Sequence, residues 1–268
     1  MAPADAHTGT GTGPAPEADK ATEDTLDLPL FEEVHMLFGE DAPATATRPK
    51  PPNASASSES DDAGPAAGTQ AIMSRPTASD LLDHPGDWGP VTTQAGVFQL
   101  VPVRLERDLA VISRWMNDPA VAAFWALAGS ESVTADHLRP QLDGDGRSVP
   151  CLGVLAGVPM SYWEIYRADL DPLARHYPAR PHDTGIHLLI GGVNNRGRGV
   201  GTTLLRAVSD LVLDNRPLCA RVVAEPDLRN TPSVSAFLSA GFRFSAEVEL
   251  PDKRAALMIR DRTHRAQL

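Results

Sequence analysis

The sequence predicts an α/β (α+β) architecture: a mixed, mostly antiparallel central sheet flanked by helices, preceded by a disordered N-terminal tail. Two observations carry the prediction. From residue 97 to residue 259, apolar runs of strand length recur, separated by stretches of helical periodicity that open on capping residues. Such alternation of periods marks strands and helices sharing one core. Ahead of it the composition differs. Residues 1–95 hold 16 Asp/Glu against 4 Lys/Arg and half of the chain's 24 prolines, whereas residues 96–268 hold 19 acids and 20 bases.

Residues 1–85, rich in Ala, Pro, Thr, Gly, Ser and acids, cannot bury enough apolar surface to offset their ordering entropy and are expected to be disordered. One island, Leu26 to Phe38, places Leu30, Phe31, Val34, Leu37 and Phe38 at helical spacing. It reads either as a short docking helix, for the domain or for a partner, or as a transient apolar cluster. Residues 86–268 form the domain, with order beginning near Trp88. Val97 to Arg104 alternates as a strand, and Asp108 to Met116 is helical. Asp118-Pro119 pairs a cap with Pro in the first turn and opens a helix from Ala120 to Ala126. Thr134 is expected to cap another short helix. Pro150 to Leu155 and Met160 to Tyr166 are strands joined as a hairpin at Ala156-Gly157. Ile186 to Gly191 is a strand, Val200 to Leu213 a helix, and Cys219 to Glu225 a strand. Asn230 or Thr231 caps the next helix, Pro232 fits its first turn, and Gly241 stops it. Strands near Phe244–Leu250 and Ala255–Ile259 close the order β-α-α-β-β-β-α-β-α-β-β, with Thr134's short helix as an addition.

Composition excludes several classes. No apolar run approaches a membrane span, and the N-terminus lacks a basic start followed by an apolar stretch, so a cytoplasmic protein is expected. The near-neutral domain offers no electrostatic case for nucleic acid. Cys151 and Cys219 both lie in apolar runs and read as buried free thiols. No metal site is expected.

The chemistry concentrates at His187–Gly201, HLLIGGVNNRGRGVG. A strand leads into a Gly/Arg loop, and a helix follows without a break. The start of a helix has unpaired N–H groups and a partial positive charge, and glycines let the backbone approach an anion. The stretch reads as a diphosphate cradle, against the alternative of an ordinary Gly-rich turn. It is not a dinucleotide fingerprint, because Thr202 stands where the third glycine belongs, and no Gly-Lys-Ser/Thr run makes it a Walker loop. Arg196, Gly199 and Gly201 stand as Arg-x-x-Gly-x-Gly, which resembles the coenzyme A loop of the GNAT acyltransferases. Downstream, Asn230, Ser233, Phe237 and Gly241-Phe242 follow at spacings of three, four and four, resembling the second block of that family.

A narrower resemblance spans about residues 96–260. Trp115–Pro119, Phe124-Trp125, Ser161–Tyr166, His182–His187, Glu225–Asn230 and Pro251–Arg254 are together similar to the siderophore-building hydroxamate acyltransferases within the GNAT family. The resemblance implies an acyl-CoA-dependent N-acyltransferase, using acetyl-CoA or succinyl-CoA and no metal. Its acceptor would be an N-hydroxylated lysine, ornithine or diamine, and its product a hydroxamate for siderophore assembly. Siderophore synthetases are the implied partners of the tail. An N-acetyltransferase of an ordinary amine and a non-catalytic acyl-CoA-binding module are the alternatives.

The resemblance also assigns residues. Leu189, Ile190, Arg196, Gly197, Arg198, Gly199, Val200, Gly201 and Asn230 would bind the cofactor, although an Arg on a loop is ordinarily just solvated. His187 and Asp227 would act on the substrate. His187 titrates near neutrality and shuttles protons; Asp227 would orient His187, deprotonate the nucleophile, or hold a cationic substrate. The structural alternative is a hydrogen-bonded core His and a helix-cap Asp. Trp125, Trp163, Tyr166 and Tyr177 would wall the substrate channel or serve as core. Phe237 is a departure: many GNAT enzymes carry there a Tyr whose hydroxyl protonates the leaving thiolate. A hydroxylamine nitrogen is less basic than an alkyl amine, so more of it is neutral at pH 7 and the demand on a base is smaller.

Overall fold

The computed structural model describes residue 82 and residues 84–267. Most of the expected tail, with its island Leu26–Phe38 and any partner contact it makes, lies outside the described residues. Leu82 is already in the core, and its N–H bonds the Gly146 carbonyl at 3.1 Å, so packing starts ahead of residue 86.

Eight strands form one sheet: β1 (Val91–Thr93), β2 (Gly96–Pro102), β3 (Ser148–Leu155), β4 (Val158–Arg167), β5 (Thr184–Ile190), β6 (Arg221–Ala224), β7 (Arg243–Glu249) and β8 (Arg254–Asp261). Their spatial order is β1-β2-β3-β4-β5-β6-β8-β7. Among the described residues every neighbouring pair is antiparallel except β5 and β6. The β3–β4 hairpin turns at Ala156 (φ 49°) and Gly157 (φ 80°), where two consecutive left-handed residues match the twist of the strands they join.

Helices α1 (Leu105–Met116), α2 (Pro119–Trp125) and α3 (Glu131–Leu142) cover one face, and α4 (Val200–Asn215) and α5 (Thr231–Ser239) cover the other. Both caps read from the sequence form. Asp118 Oδ1 accepts from the Ala120 N–H at 3.0 Å, and Asn230 Oδ1 from the Ser233 N–H at 3.3 Å. Thr134 is a correction: it caps nothing, because α3 starts one turn earlier and Thr134 lies inside it, wholly buried. Strand β1 went unread, since three half-exposed residues give no period.

The two faces of the sheet follow from the alternation of side chains along each strand. On β4, Trp163 and Ile165 enter the core under α4 and α5, while Tyr162 packs toward α1–α3. On β5, Ile186 takes the first side and Leu189 the second. The parallel pairing of β5 and β6 is short: Thr184 pairs with Val222 and Gly185 with Val223, and the register ends there. Beyond those pairs the strands part, and the gap at their C-terminal ends is where the site forms.

Candidate active site

The Gly/Arg loop emerges from β5 and re-enters the fold as α4. Gly197 (φ 68°) and Gly199 (φ 74°) adopt left-handed conformations that side chains disfavour, and a Cβ at either would meet open space. Gly201 lies inside the helix, where a Cβ would meet only Ile190 Cγ1 at 3.7 Å, an ordinary contact. The fold itself therefore does not demand glycine at 201. Gly199 offers no side-chain cap, so the first-turn N–H groups of α4 are left for an outside acceptor.

Arg196 stabilises this loop from within. Its Nε donates to the Ile190 carbonyl at 2.9 Å, one terminal nitrogen to the Gly191 carbonyl at 3.2 Å, and the other to Asp118 Oδ1 at 2.9 Å. That last bond holds the Asp118 carboxyl below its ordinary range. The guanidinium thus ties the end of β5 to the cap of α2. Arg198 is exposed, with one 3.4 Å bond to the Asn194 carbonyl. Val200 packs against the core, Leu189 is buried toward α1–α3, and Ile190 is half-buried.

A cleft of about 260 Å³ opens where β5 and β6 part; Trp125, Glu164, His187, Glu225, Asp227 and Phe237 are among its walls. Within it lies a charged array that alternation places on the α1–α3 face. Glu164 faces His187 directly across the β4–β5 ladder. His187 Nδ1 lies 2.9 Å from Glu164 Oε2, and its Nε2 makes a short contact with Glu225 Oε1. Burial works against the charged ring, but the negative charge of Glu225 and the hydrogen bonds to both glutamates outweigh it and raise the His187 pKa to about 10. At neutral pH His187 is therefore an imidazolium donating from both nitrogens.

The two carboxylates are held ionised in return. Burial raises the pKa of Glu164, but hydrogen bonds from His137 and His187 outweigh it and hold the group well below its ordinary value. Its Oε1 also accepts from the Tyr162 hydroxyl at 2.8 Å and the Gln141 amide at 2.9 Å. For Glu225, burial is outweighed chiefly by the charge of His187, and its pKa falls to about 2. Its Oε2 accepts from the Tyr166 hydroxyl at 2.8 Å, and Lys253 Nζ lies 3.7 Å from its Oε1. Gly185 makes room for this arrangement, because a Cβ there would stand 2.1 Å from the Tyr166 ring.

Sequence expectations change in this light: His187, held as a cation by two glutamates, does not titrate near neutrality as a proton shuttle would. Asp227 does not orient His187, whose two nitrogens are taken by Glu164 and Glu225. Asp227 stands at the cleft with its carboxylate bonded by Arg229, at 2.7 Å through the terminal nitrogen, and this bond holds its pKa down. Trp163 does not wall the channel: it is wholly buried on the opposite face, 6.3 Å from Phe98 between ring centres, with its indole N–H on Ser161 at 2.9 Å. Tyr177 is buried and donates to Asp183 at 3.1 Å, a core role. Trp125 does line the cleft, edge-on to His187 at 6.1 Å, and Tyr166 lies beneath the imidazole at 4.8 Å. Asn230 and Ser233 reach the cleft from the start of α5. Glu164, Glu225, His137 and Lys253 were not singled out as site residues. For the two glutamates the available signal is an acid set in, or ending, an otherwise apolar strand run; His137, on a helix, and Lys253, in the β7–β8 connection, have none.

Residues 104–250 match the family model described as the acetyltransferase (GNAT) domain. Lysine N-acyltransferase MbtK of Mycobacterium sp. (strain MCS) is 35% identical over 174 residues, 65% of this chain and 71% of that protein. N(6)-hydroxylysine O-acetyltransferase of Escherichia coli is 37% identical over 157 residues, 59% of this chain and 50% of that one. Among solved structures, AAC(6')-Ib in complex with Parmomycin and AcetylCoA superposes with a TM-score of 0.54 at 25% identity, covering 62% of this chain and 94% of that one. With the split between β5 and β6, the loop leading into α4 and more than half of the chain inside the family model, this protein belongs to the GNAT acetyltransferase family.

Proposed function

We propose that this enzyme transfers an acyl group from acyl-CoA to the hydroxylamine nitrogen of an N-hydroxylated lysine, ornithine or related diamine, forming a hydroxamate for siderophore assembly. The observation that carries the reading is the cleft between β5 and β6. The Gly197–Gly201 loop and the bare start of α4 offer a diphosphate seat at the end of β5, and the Glu164–His187–Glu225 array lies beside the acyl end. The similarity to proteins named for lysine and hydroxylysine acylation supports the acceptor class. Among the described residues no helix is long and apolar enough to cross a membrane.

Transfer is direct. Cys151 and Cys219 are both buried, and burial pushes the Cys151 thiol up to about 12, so neither is poised to carry the acyl group. The nitrogen lone pair attacks the thioester carbonyl, and the C–N bond forms as the oxyanion develops. The adduct nitrogen is then cationic and strongly acidic, so even a carboxylate of depressed pKa takes its proton. Asp227 stands at the cleft for that step. The C–S bond breaks, the thiolate leaves with the electron pair and takes a proton from solvent, since Phe237 has no hydroxyl to give one. Asp227 returns its proton to water. His187, fixed as a cation, donates to both buried glutamates and, together with Lys253, offsets their charge beside the cleft.

The test is an activity matrix of acetyl-CoA and succinyl-CoA against N6-hydroxylysine, N5-hydroxyornithine, lysine and a polyamine, with hydroxamate read by ferric complexation and thiol release read separately. Hydroxamate formation on a hydroxylated acceptor, faster than acylation of lysine, is expected. Faster turnover of the plain amines would overturn the reading.

A further inference from the structure

A second cleft, of about 330 Å³, shares His187, Glu225, Asp252 and Lys253 with the first, but its remaining wall is a different segment, Asp171–His176 with Leu250 and Pro251. No residue of α5 lines it, whereas Ser233 and Phe237 of α5 line the first. The charged array is therefore reached from two sides, only one of which meets α5.

Two charged side chains of the second wall have no ion-pair partner among the described residues. Asp171 caps a 3-10 turn, Pro172–Arg175, by accepting from the Leu173 N–H at 2.9 Å. Its carboxylate is half-buried, and among the described residues it has no cationic partner. Burial and the nearby charges of Glu225 and Glu164 push its pKa up, against the pull of His187, as expected of an acid short of a counter-charge. Arg175 ends the same turn, exposed, and among the described residues no hydrogen bond or ion pair engages its guanidinium. The two do not pair with each other. One wall thus presents, four residues apart, a capping carboxylate with no ion-pair partner and an unengaged guanidinium, among the described residues.

We infer that the second cleft holds the α-amino-acid end of the acceptor, with Arg175 on its α-carboxylate and Asp171 on its α-ammonium, while the side chain passes His187 and Glu225 to bring its hydroxylamine into the first cleft. This rests on the hydroxylamine reading above and narrows it: the acceptor is an N-hydroxylated α-amino acid, not a diamine. A guanidinium recognises a carboxylate in bidentate fashion, which a diamine does not offer. The two opposite charges match a zwitterion, and the acyl-accepting nitrogen stays several bonds away from both.

Three acceptors test it on the full-length enzyme: N6-hydroxylysine; N-hydroxycadaverine, which lacks the carboxylate; and 6-(hydroxyamino)hexanoate, which lacks the ammonium. The wild type is expected to favour N6-hydroxylysine over both. Arg175→Gln should raise KM about tenfold for the two carboxylates and leave N-hydroxycadaverine unchanged, the size of one charge-assisted hydrogen bond. Asp171→Asn, which keeps the cap, should raise KM for the two ammonium acceptors and spare the hexanoate. Values of kcat should move little in each case. Equal wild-type kcat/KM on all three acceptors, or losses that ignore which charge is missing, would overturn the inference while leaving hydroxamate formation standing. Absence of hydroxamate with any acceptor would instead remove the functional reading beneath it.

Discussion

The two ends of the cleft are built in opposite ways. The proposed coenzyme A end is one contiguous segment, Gly191 to Gly201, shaped by backbone dihedrals and pinned by Arg196, and the groups it offers are main-chain N–H. The proposed acceptor end is assembled from side chains on two strands, on the residue just past a third and on a helix, Glu164, His187, Glu225 and His137, and the groups it offers are charges. A backbone site is insensitive to pH and to most substitutions, but intolerant of added bulk or negative charge. A side-chain array is the reverse: each member sets the charge state of the others, so its failures are electrostatic and pH-dependent.

The sharpest separation of the two ends comes from removing the acceptor-side groups. Asp227→Ala should lower kcat by roughly 100- to 10,000-fold if Asp227 takes the proton. His187→Ala should cost on the order of 100- to 1,000-fold if it acts as a fixed charge. In both, acyl-CoA affinity measured by calorimetry should stay near the wild-type value. A parallel loss of acyl-CoA binding would break the division into two ends. Full activity in both variants would make His187 and Asp227 structural residues.

The complementary change is at the loop. Gly199→Asp and Gly201→Asp should each weaken acyl-CoA binding by on the order of a hundredfold or more, because a carboxylate would meet the diphosphate. Gly201 is the cleaner probe. Its Cβ has room in the unliganded fold, so Gly201→Ala should leave the thermal midpoint within a degree or so and still raise the acyl-CoA Kd. Near-native affinity in both aspartate variants would remove the assignment of the loop.

How far each end was legible follows from the same contrast. The loop could be read because its signal is local: strand, Arg-x-x-Gly-x-Gly and helix within twenty residues. The acceptor array could not, because it depends on register. Glu164 meets His187 only through the β4–β5 pairing, and the connection between those strands, residues 168–183, is two 3-10 turns and irregular chain with no hairpin signal to set it. The mistaken placement of Trp163 has the same origin. Ser161–Tyr166 is buried on both faces, so period two tells which residues share a side but not which side meets the cleft. Period two puts Tyr162, Glu164 and Tyr166 on one side, and the fold turns Glu164 of that side toward the cleft. Thr134 failed for a different reason, since a residue type that favours caps was outvoted by burial against the sheet.

The pH dependence separates the ends more gently. The folded protein raises His187 from its ordinary 6.5 to about 10. The stability this pairing supplies is complete below pH 6.5, declines as pH rises above it, and is gone once pH passes about 10. Glu225 has the opposite sign: its contribution is present above its ordinary 4.5 and is lost as pH falls toward about 2. The thermal midpoint should therefore fall between pH 7 and 10 in the wild type, and fall less steeply in His187→Asn. Turnover should show no step at the ordinary histidine value and should decline only toward pH 10. Acyl-CoA affinity should change little over pH 7 to 9. A histidine-like step near 6.5 in kcat would mean that the imidazolium is not held by its two glutamates.

The smallest expected effect lies where the two ends meet. Phe237 lines the cleft from α5 and packs edge-on against Phe242, with ring centres 5.0 Å apart. It stands where many enzymes of this family carry a tyrosine whose hydroxyl protonates the departing thiolate. A thiolate is a stable leaving group near neutral pH, and solvent reaches this open cleft, so the acid is not needed for C–S cleavage. Phe237→Tyr should then change kcat with a hydroxylamine acceptor by less than about threefold, a change too small for a proton-transfer role. With lysine as acceptor the same substitution should also fail to raise turnover, because the barrier there is the protonated amine and not the leaving group. The measurement is kcat for both acceptors across pH 6 to 9. A rise of tenfold or more in the tyrosine variant would show that thiolate protonation limits the natural enzyme, and would move the slow step from the acceptor end of the cleft to the coenzyme A end.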